Sequence, residues 1–308
     1  MNFDMLLSLL LTTLTASTPL LLAALGELVV ERSGVLNLGV EGMMLTGAIS
    51  GFAVMSLTGS PALALLAAIA AGAVLAAIFA FLVLILLSNQ VATGLALTIF
   101  GTGLSALIGT GFTGRPVPPL AKLALPGLSA LPVLGRLFEQ DALVYLALLA
   151  TAAVAWFLKS TRGGLVLRAV GEADLSAHSI GYPVLRIRFL AILFGGAMAG
   201  LGGAYLSLAY TPMWVENMTA GRGWIALAIV VFAAWRPWRA AAGAYLFGGV
   251  TVLQLYLQGS GLLPIPPQLL SMLPYLGTIL VLTLISSGPF RRRFSPPACL
   301  GRPFRPPA

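Results

Sequence analysis

Acid–base, nucleophilic or metal chemistry in this chain would have to draw on nine carboxylates, one histidine (His178) and one cysteine (Cys299). A single histidine excludes the His-Glu-x-x-His zinc helix and any two-histidine metal site. A single cysteine excludes an internal disulfide and a cysteine-based metal cluster. A phosphate-binding loop needs Gly-x-x-x-x-Gly-Lys-Ser/Thr. Lys159-Ser160 supplies the last pair, but Trp156-Phe-Leu158 stands where the glycine should be, and Lys122 fails as well. Gly-x-Ser-x-Gly does not occur. No catalytic residue, no metal ligand and no bound cofactor is therefore expected on the chain. Any energised work would draw on another protein or on an ion gradient. Ion-coupled pumps keep acids deep in their helices, and here only Glu41 is expected inside a span, which weighs against that class.

The elements that must position the polar groups are helices in a bilayer. Of 308 residues, 59% are hydrophobic and 8% charged, with mean hydropathy +1.00. A soluble domain carries roughly 25% charged residues. This composition excludes an ordinary cytoplasmic enzyme, a nucleic-acid binder and a disordered chain. A bilayer crossing needs about 20 apolar residues, and the pattern predicts nine spans, at about 5–25, 36–57, 61–87, 91–111, 141–158, 189–210, 222–235, 240–257 and 268–287. The breaks carry turn residues such as Thr58-Gly-Ser-Pro61, Ser88-Asn-Gln90 and Arg236-Pro-Trp-Arg239. The seventh span is short and reads as a half-helix preceded by irregular backbone. Met1-Asn-Phe-Asp4 lacks a basic leader region, so the first apolar run is expected to be a retained helix. The expected fold is thus an all-α, polytopic transmembrane bundle occupying residues 1–287, followed by a tail, 288–308, rich in Arg and Pro and expected to be disordered.

The formal charge of +8 reads as a topology signal rather than a nucleic-acid footprint. With the 159–188 connection placed inside, thirteen Lys and Arg lie inside and four outside. That bias puts the N-terminus outside and the C-terminus in the cytoplasm. The outer connection, about 112–140, holds Pro116, Pro118, Pro119, Pro126 and Pro132, so it cannot be one continuous helix; it is expected to fold over the outer mouth around a short interfacial helix. The inner connection, about 159–188, is the only connection between spans on its side large enough to make a docking surface.

Within the spans, small residues recur at i+4 around Gly195, Gly196, Gly200 and Gly203. Such lines let backbones approach closely in lipid, either between helices of one subunit or between subunits. Asn37 and Glu41 are four apart and are expected on one helix face. A carboxylate facing lipid at mid-helix costs roughly 2.5–3.5 kcal/mol on insertion scales. Glu41 should therefore face the bundle, as a buried structural hydrogen-bonder or as a lining of the solute path. Thr93, Gln254 and Gln258 are further candidates for a polar path. Glu31 and Arg32 are expected to cap or pair at a helix end.

Two stretches go further. One is Gly26-Glu-Leu-Val-Val-Glu-Arg-Ser-Gly-Val-Leu-Asn-Leu-Gly-Val-Glu-Gly-Met-Met-Leu-Thr-Gly-Ala48. The other is Arg168-Ala-Val-Gly-Glu-Ala-Asp-Leu-Ser-Ala-His-Ser-Ile-Gly181, followed by Phe194-Gly-Gly-Ala-Met-Ala-Gly-Leu-Gly-Gly-Ala204. Together they resemble the permease subunits of bacterial ABC importers of the simple-sugar, nucleoside and branched-chain amino acid superfamily. The form Glu31-Arg-Ser-Gly-Val-Leu-Asn-Leu-Gly-Val-Glu-Gly42 looks most like the nucleoside-type branch, and Gly221-Arg-Gly-Trp-Ile-Ala-Leu-Ala228 and Trp235-Arg-Pro-Trp238 fit that branch too. Three features depart from the pattern: related sugar permeases carry another helix before the first one here, Ala173-Asp174 replaces the usual Asn-Pro, and His178 stands at a commonly small or acidic position.

The resemblance implies a type II ABC importer permease in the bacterial cytoplasmic membrane. It implies a second permease subunit forming a heterodimer, a cytoplasmic ATPase that binds the ATP, and an extracytoplasmic solute-binding lipoprotein. It makes 159–188 the coupling loop to the ATPase, with Arg168, Gly171, Glu172, Asp174, His178 and Gly181 as its key residues. Glu172 and Asp174 are then expected in the first turn of a short helix, ended by Gly181 with Pro183 preventing its continuation. The solute is expected to be a nucleoside, with a sugar or branched-chain amino acid as the alternative. An ion-driven secondary transporter is the rival of another class, and a scaffold without transport is a lesser one.

Overall fold

A computed structural model describes residues 3–124, 126–127, 129, 135–260, 266–286 and 296–305. The apolar runs form helices, and their ends follow local chemistry. In chain order they are α1 (Phe3–Arg32), α2 (Val40–Thr58), α3 (Pro61–Ala80), α4 (Gln90–Gly109), α5 (Ala142–Ser160) and α6 (Arg162–Glu172). Then come α7 (Asp174–Ser179), α8 (Val184–Tyr205), α9 (Arg222–Phe232), α10 (Pro237–Ser260), α11 (Pro267–Ser271) and α12 (Leu273–Ser286). α3 and α8 each run on into a π-helical turn, Phe81–Ile85 and Leu206–Tyr210. Gly59 ends α2 at φ 67°, and Pro61 opens α3, where its missing N–H costs nothing. The side chains of Asn89, Asp141 and Thr161 accept backbone N–H bonds at the starts of α4, α5 and α6.

Seven helices among the described residues are long and apolar enough to cross a membrane: α1, α2, α3, α4, α5, α8 and α10. The predicted seventh span is the 11-residue α9, preceded by non-helical backbone, and the predicted ninth is the 14-residue α12. Several expected boundaries are corrected. The first helix does not stop near residue 25 but continues to Arg32, so Glu27 and Glu31 are inside it and 1% exposed. α8 begins at Val184, which moves Arg186 and Arg188 out of the connection and into its first turns.

One departure from an all-α fold sits in the 112–140 connection. Strands β1 (Lys122–Ala124) and β2 (Glu139–Asp141) pair antiparallel, Lys122 opposite Asp141, after a short 3-10 turn at Gly135–Phe138. That turn is the only helical piece among the described residues from 112 to 140, where a short interfacial helix is expected. The connection lies on the end of α8, with the Val117 N–H donating to Pro212 O at 3.2 Å and the Leu120 N–H to Leu208 O at 3.1 Å.

α8 is the central helix, packed on α1, α2 and α3. Its glycines set those approaches. A Cβ at Gly195 would meet Val30, one at Gly196 would meet Ala76 and Gly72 O, one at Gly200 would meet Ala68 O, and one at Gly203 would meet Met44 O. Backbone therefore lies against backbone, the form of association that lipid rewards, since burial against leucine gains nothing over burial in acyl chains. The partners are helices of the same chain.

Gly203→Val should separate α2 from α8 and destabilise the protein by about 3 kcal/mol, read as a lowered unfolding midpoint in detergent. Gly103→Ala is the control: no atom lies within 4 Å of its added Cβ, and it should be neutral or stabilising.

Candidate functional site

The segment from Glu27 to Glu41 covers the last turns of α1, a non-helical stretch at 33–39 and the first turn of α2. Backbone groups in that stretch need partners, because apolar surroundings offer no water. Side chains supply them. Glu27 Oε1 accepts the Asn37 N–H at 3.1 Å, and Gln90 Oε1 accepts the Leu36 N–H at 2.8 Å. Asn37 Oδ1 accepts the Gly39 N–H at 2.9 Å, and Thr98 Oγ1 donates to Leu38 O at 3.0 Å. Asn37 thus stands before α2, not on a helix face shared with Glu41, as its spacing suggests. Both are buried, at 0% and 4% exposure.

Glu41 performs the same task for α9. Its Oε1 accepts the Thr219 hydroxyl at 2.5 Å and the Gly221 N–H at 2.8 Å; its Oε2 accepts the Gly223 N–H at 2.5 Å. A carboxylate on exposed N–H groups at a helix start also suits the helix dipole. Two glycines make the approach possible. Gly221 adopts φ 82°, and a Cβ on Gly223 would lie 2.6 Å from Glu41 Cα. The far end of α9 is held by α1. Glu31 Oε2 accepts the Trp235 indole N–H at 2.6 Å, and Arg32 Nε and Nη2 donate to Trp235 O at 3.2 and 3.1 Å. Ala234 and Trp235 have positive φ, so the chain turns sharply there before α10. One sequence motif therefore grips another at both ends. Sequence reading missed Glu27, Gln90, Thr98, Thr219 and Trp235; acids in an apolar chain with no cation at helical spacing are the signal that points to such partners.

The other path candidates are placed as follows. Thr93 lies near the start of α4, 2.9 Å from the Ser88 hydroxyl, beside Gly94, which packs on the backbone of Leu38 and Gly39. Gln254 is on α10, which packs on α1, α5, α9, α11 and α12. Both are 9% exposed. At the opposite end from α7 lies a cavity of about 940 Å³ whose lining includes Thr12, Lys122, Arg136, Glu139 and Tyr205. Its wall is fixed by Asp141, which caps α5 through Oδ1 and accepts the Tyr205 hydroxyl at 3.1 Å through Oδ2.

The 159–188 connection is two helices rather than a loop. Asp174 opens α7, and Gly181, at φ 94°, follows its end, with Pro183 just before α8. Glu172 closes α6 instead of sharing the first turn of α7; the chain breaks at Ala173, φ −151°. Arg188, 0% exposed, joins α7 to the base of α8: Nη2 donates to Asp174 Oδ2 at 3.0 Å, and Nε donates to Ser33 O at 3.0 Å. Gly171 is pressed against Arg32 O, leaving no room for a Cβ. Arg168 and His178 are partly buried, whereas Leu175, Ile180 and Tyr182 are exposed.

The tail corrects an expectation. Residues 296–305 are ordered against this region, with the Cys299 N–H donating to Gly171 O at 2.9 Å and the Gly301 N–H to Gly34 O at 3.2 Å. Residues 288–295 and 306–308 fall outside the described residues.

Residues 9–282 match the family described as the permease component of branched-chain amino acid transport systems. The chain is 46% identical to a putative glucose ABC transporter permease protein of Haloferax volcanii, over 88% of this chain and 89% of that one. It is 35% identical to a guanosine ABC transporter permease protein of Bacillus subtilis, over 88% and 89%. It is 33% identical to a nucleoside ABC transporter permease protein of Lactococcus lactis, over 87% and 89%. Haloferax volcanii and Bacillus subtilis each have a second permease protein, under the same glucose or guanosine description, that is also similar to this chain.

Glu41→Ala should leave the Gly221 and Gly223 N–H groups without an acceptor, at about 1–3 kcal/mol for each orphaned group. The unfolding midpoint in detergent should fall accordingly, and Glu41→Gln, which keeps one acceptor oxygen, should lie between Ala and the parent.

Proposed function

The chain belongs to the family of branched-chain amino acid transport permease components, and from that premise we propose that it forms half of the transmembrane pathway of an ATP-driven importer for nucleosides. It is an ABC importer permease subunit, a multi-pass protein of the cell membrane, and not an enzyme. The observation that carries the reading is the match over residues 9–282, nearly the whole membrane-embedded chain.

The solute follows from the guanosine and nucleoside permeases among the relatives, and from the Glu31-Arg-Ser-Gly34 and Gly221-Arg-Gly-Trp224 stretches that resemble that branch. A glucose reading is supported by the 46% identical relative of Haloferax volcanii. Either solute passes between this chain and a second, non-identical permease, a reading supported by the two permease proteins in each of those two organisms. An ATPase carries the ATP, and a solute-binding lipoprotein delivers cargo on the opposite side.

The ATPase meets α6 and α7 on the cytoplasmic side. The basic bias supports this orientation: Arg32, Lys159, Arg162, Arg186, Arg236 and Arg239 all stand at or near helix ends on the α7 side of the bundle. With α9 and α12 taken as crossings, the described residues hold nine, an odd number that sets the two ends on opposite sides; together with the basic bias this supports an N-terminus outside and a C-terminus inside. Asn37, Glu41, Thr93 and Gln254 are the proposed contacts with the solute path.

Uptake is tested with the permease pair, ATPase and binding lipoprotein reconstituted in liposomes. Labelled guanosine should enter only with ATP on the ATPase side, and excess unlabelled glucose should not compete. Competition by glucose alone would reassign the solute, and gradient-driven uptake without ATPase would overturn the mechanism. In a Cys299→Ala background, Ser179→Cys should react with an impermeant maleimide only from the cytoplasmic face, and Thr58→Cys only from the outer face.

A further inference from the structure

The ordered tail does more than lie on the surface. Its backbone makes three bonds to two separate elements of the α7 end, α6 and the turn after α1. The Cys299 N–H bonds to Gly171 O at the end of α6, the Ala298 N–H bonds to Glu172 Oε2 at 3.3 Å, and the Gly301 N–H bonds to Gly34 O in the turn after α1. The fit is close, since a Cβ at Gly34 would meet Cys299 Cβ at 3.3 Å. Farther on, Phe304 is 4% exposed and forms one apolar cluster with Val170 of α6, Ala177 of α7 and Val184 of α8. Its ring sits 5.6 Å from His178, edge-on, and 5.8 Å from the Arg188 guanidinium. Arg302 and Arg305 on either side remain exposed. The strap lies beyond the residues that match the family.

A six-residue helix such as α7 cannot hold its own conformation in water. Its fixed points are the Asp174–Arg188 pair and the cluster around Ala177, and Phe304 is the member of that cluster contributed from outside the 159–188 connection. The same tail bonds the turn at Gly34, three residues before Asn37 and seven before Glu41, which holds the start of α9. Resting on the permease reading above, we infer that residues 296–305 are a strap that fixes α7 to the α1–α2 turn, with Phe304 as its positioning residue, so that movement of α7 reaches Glu41 and α9. Without the strap, the side-chain link from α7 to the α1–α2 turn would be Arg188 alone, which bonds both Asp174 and Ser33 O, and more of the motion imposed on α7 would dissipate in local unfolding.

The test uses the full reconstituted transporter with Phe304→Ala, Phe304→Tyr and a chain ended after Ser295. Two readouts are taken: amide exchange across 174–182, and solute imported per ATP hydrolysed. Phe304→Ala and the shortened chain should raise exchange about ten-fold through local opening. They should lower import per ATP by about five-fold, the size expected when a coupling contact is weakened. ATPase binding and basal hydrolysis should persist, and Phe304→Tyr should restore both readouts. Unchanged exchange overturns the strap whatever solute the chain carries. Faster exchange with unchanged import per ATP overturns its role in coupling. Loss of ATPase binding in Phe304→Ala also overturns it, because the tail would then be part of the docking face. Failure of the permease reading looks different: the unmodified chain imports nothing, while the exchange result still stands or falls.

Discussion

A backbone that leaves the helix inside an apolar layer must find partners for every exposed N–H and C=O. Most of this chain avoids the problem by staying helical. The stretches at 33–39 and before α9 do not, and Glu27, Asn37, Glu41, Gln90 and Thr98 supply their partners. α9 is the sharper case. Its 11 residues cover roughly 16 Å, about half of the apolar thickness of a bilayer. With Trp235 fixed at the α7 end of α1, the other end of α9 falls at apolar depth. The Glu41 carboxylate, arriving from α2, makes that position tenable by accepting from Thr219, Gly221 and Gly223. A hydroxyl or amide would satisfy fewer donors and would not complement the dipole of the helix start.

The same contact makes α9 dependent on α1 and α2 at both ends. Glu31 and Arg32 hold Trp235, Glu41 holds the glycine turn, and α1 and α2 are themselves pinned on α8 through Gly26 and Gly47. α8 in turn is rooted by Arg188, which bonds both Asp174 and Ser33 O. A displacement at α7 thus has a short chain of rigid contacts to the start of α9. Close packing of this kind moves as bodies rather than deforming continuously, which suits a subunit driven by an external ATPase.

Some of this was legible in advance. Composition and apolar run length gave the membrane class and the positions of most helices, because a bilayer leaves few alternatives to helix. The short seventh element was legible from its length, and the end of α7 from Gly181 and Pro183. Glu41 was recognisable as inward-facing because lipid exposure of a carboxylate is so costly. The extension of α1 past residue 25 was not legible, since Glu27 and Glu31 look like the polar margin of a span until their acceptors' donors, the Asn37 N–H and the Trp235 indole, are seen. Glu172 and Asp174 look alike in sequence, yet the break at Ala173 assigns them to different helices.

The sequence by itself determined that the chain is a multi-spanning membrane protein with the motifs of a transport permease, because hydropathy, glycine placement and motif order are local properties of the string. Only the tertiary structure decided which residues meet. Glu41 and Gly223, Glu31 and Trp235, Arg188 and Asp174, and Phe304 with Ala177 are brought together by helix packing. The tail shows the limit most clearly. Its Arg and Pro content reads as disorder, and the order it has comes from a pocket and two free carbonyls that elements more than a hundred residues away build for it.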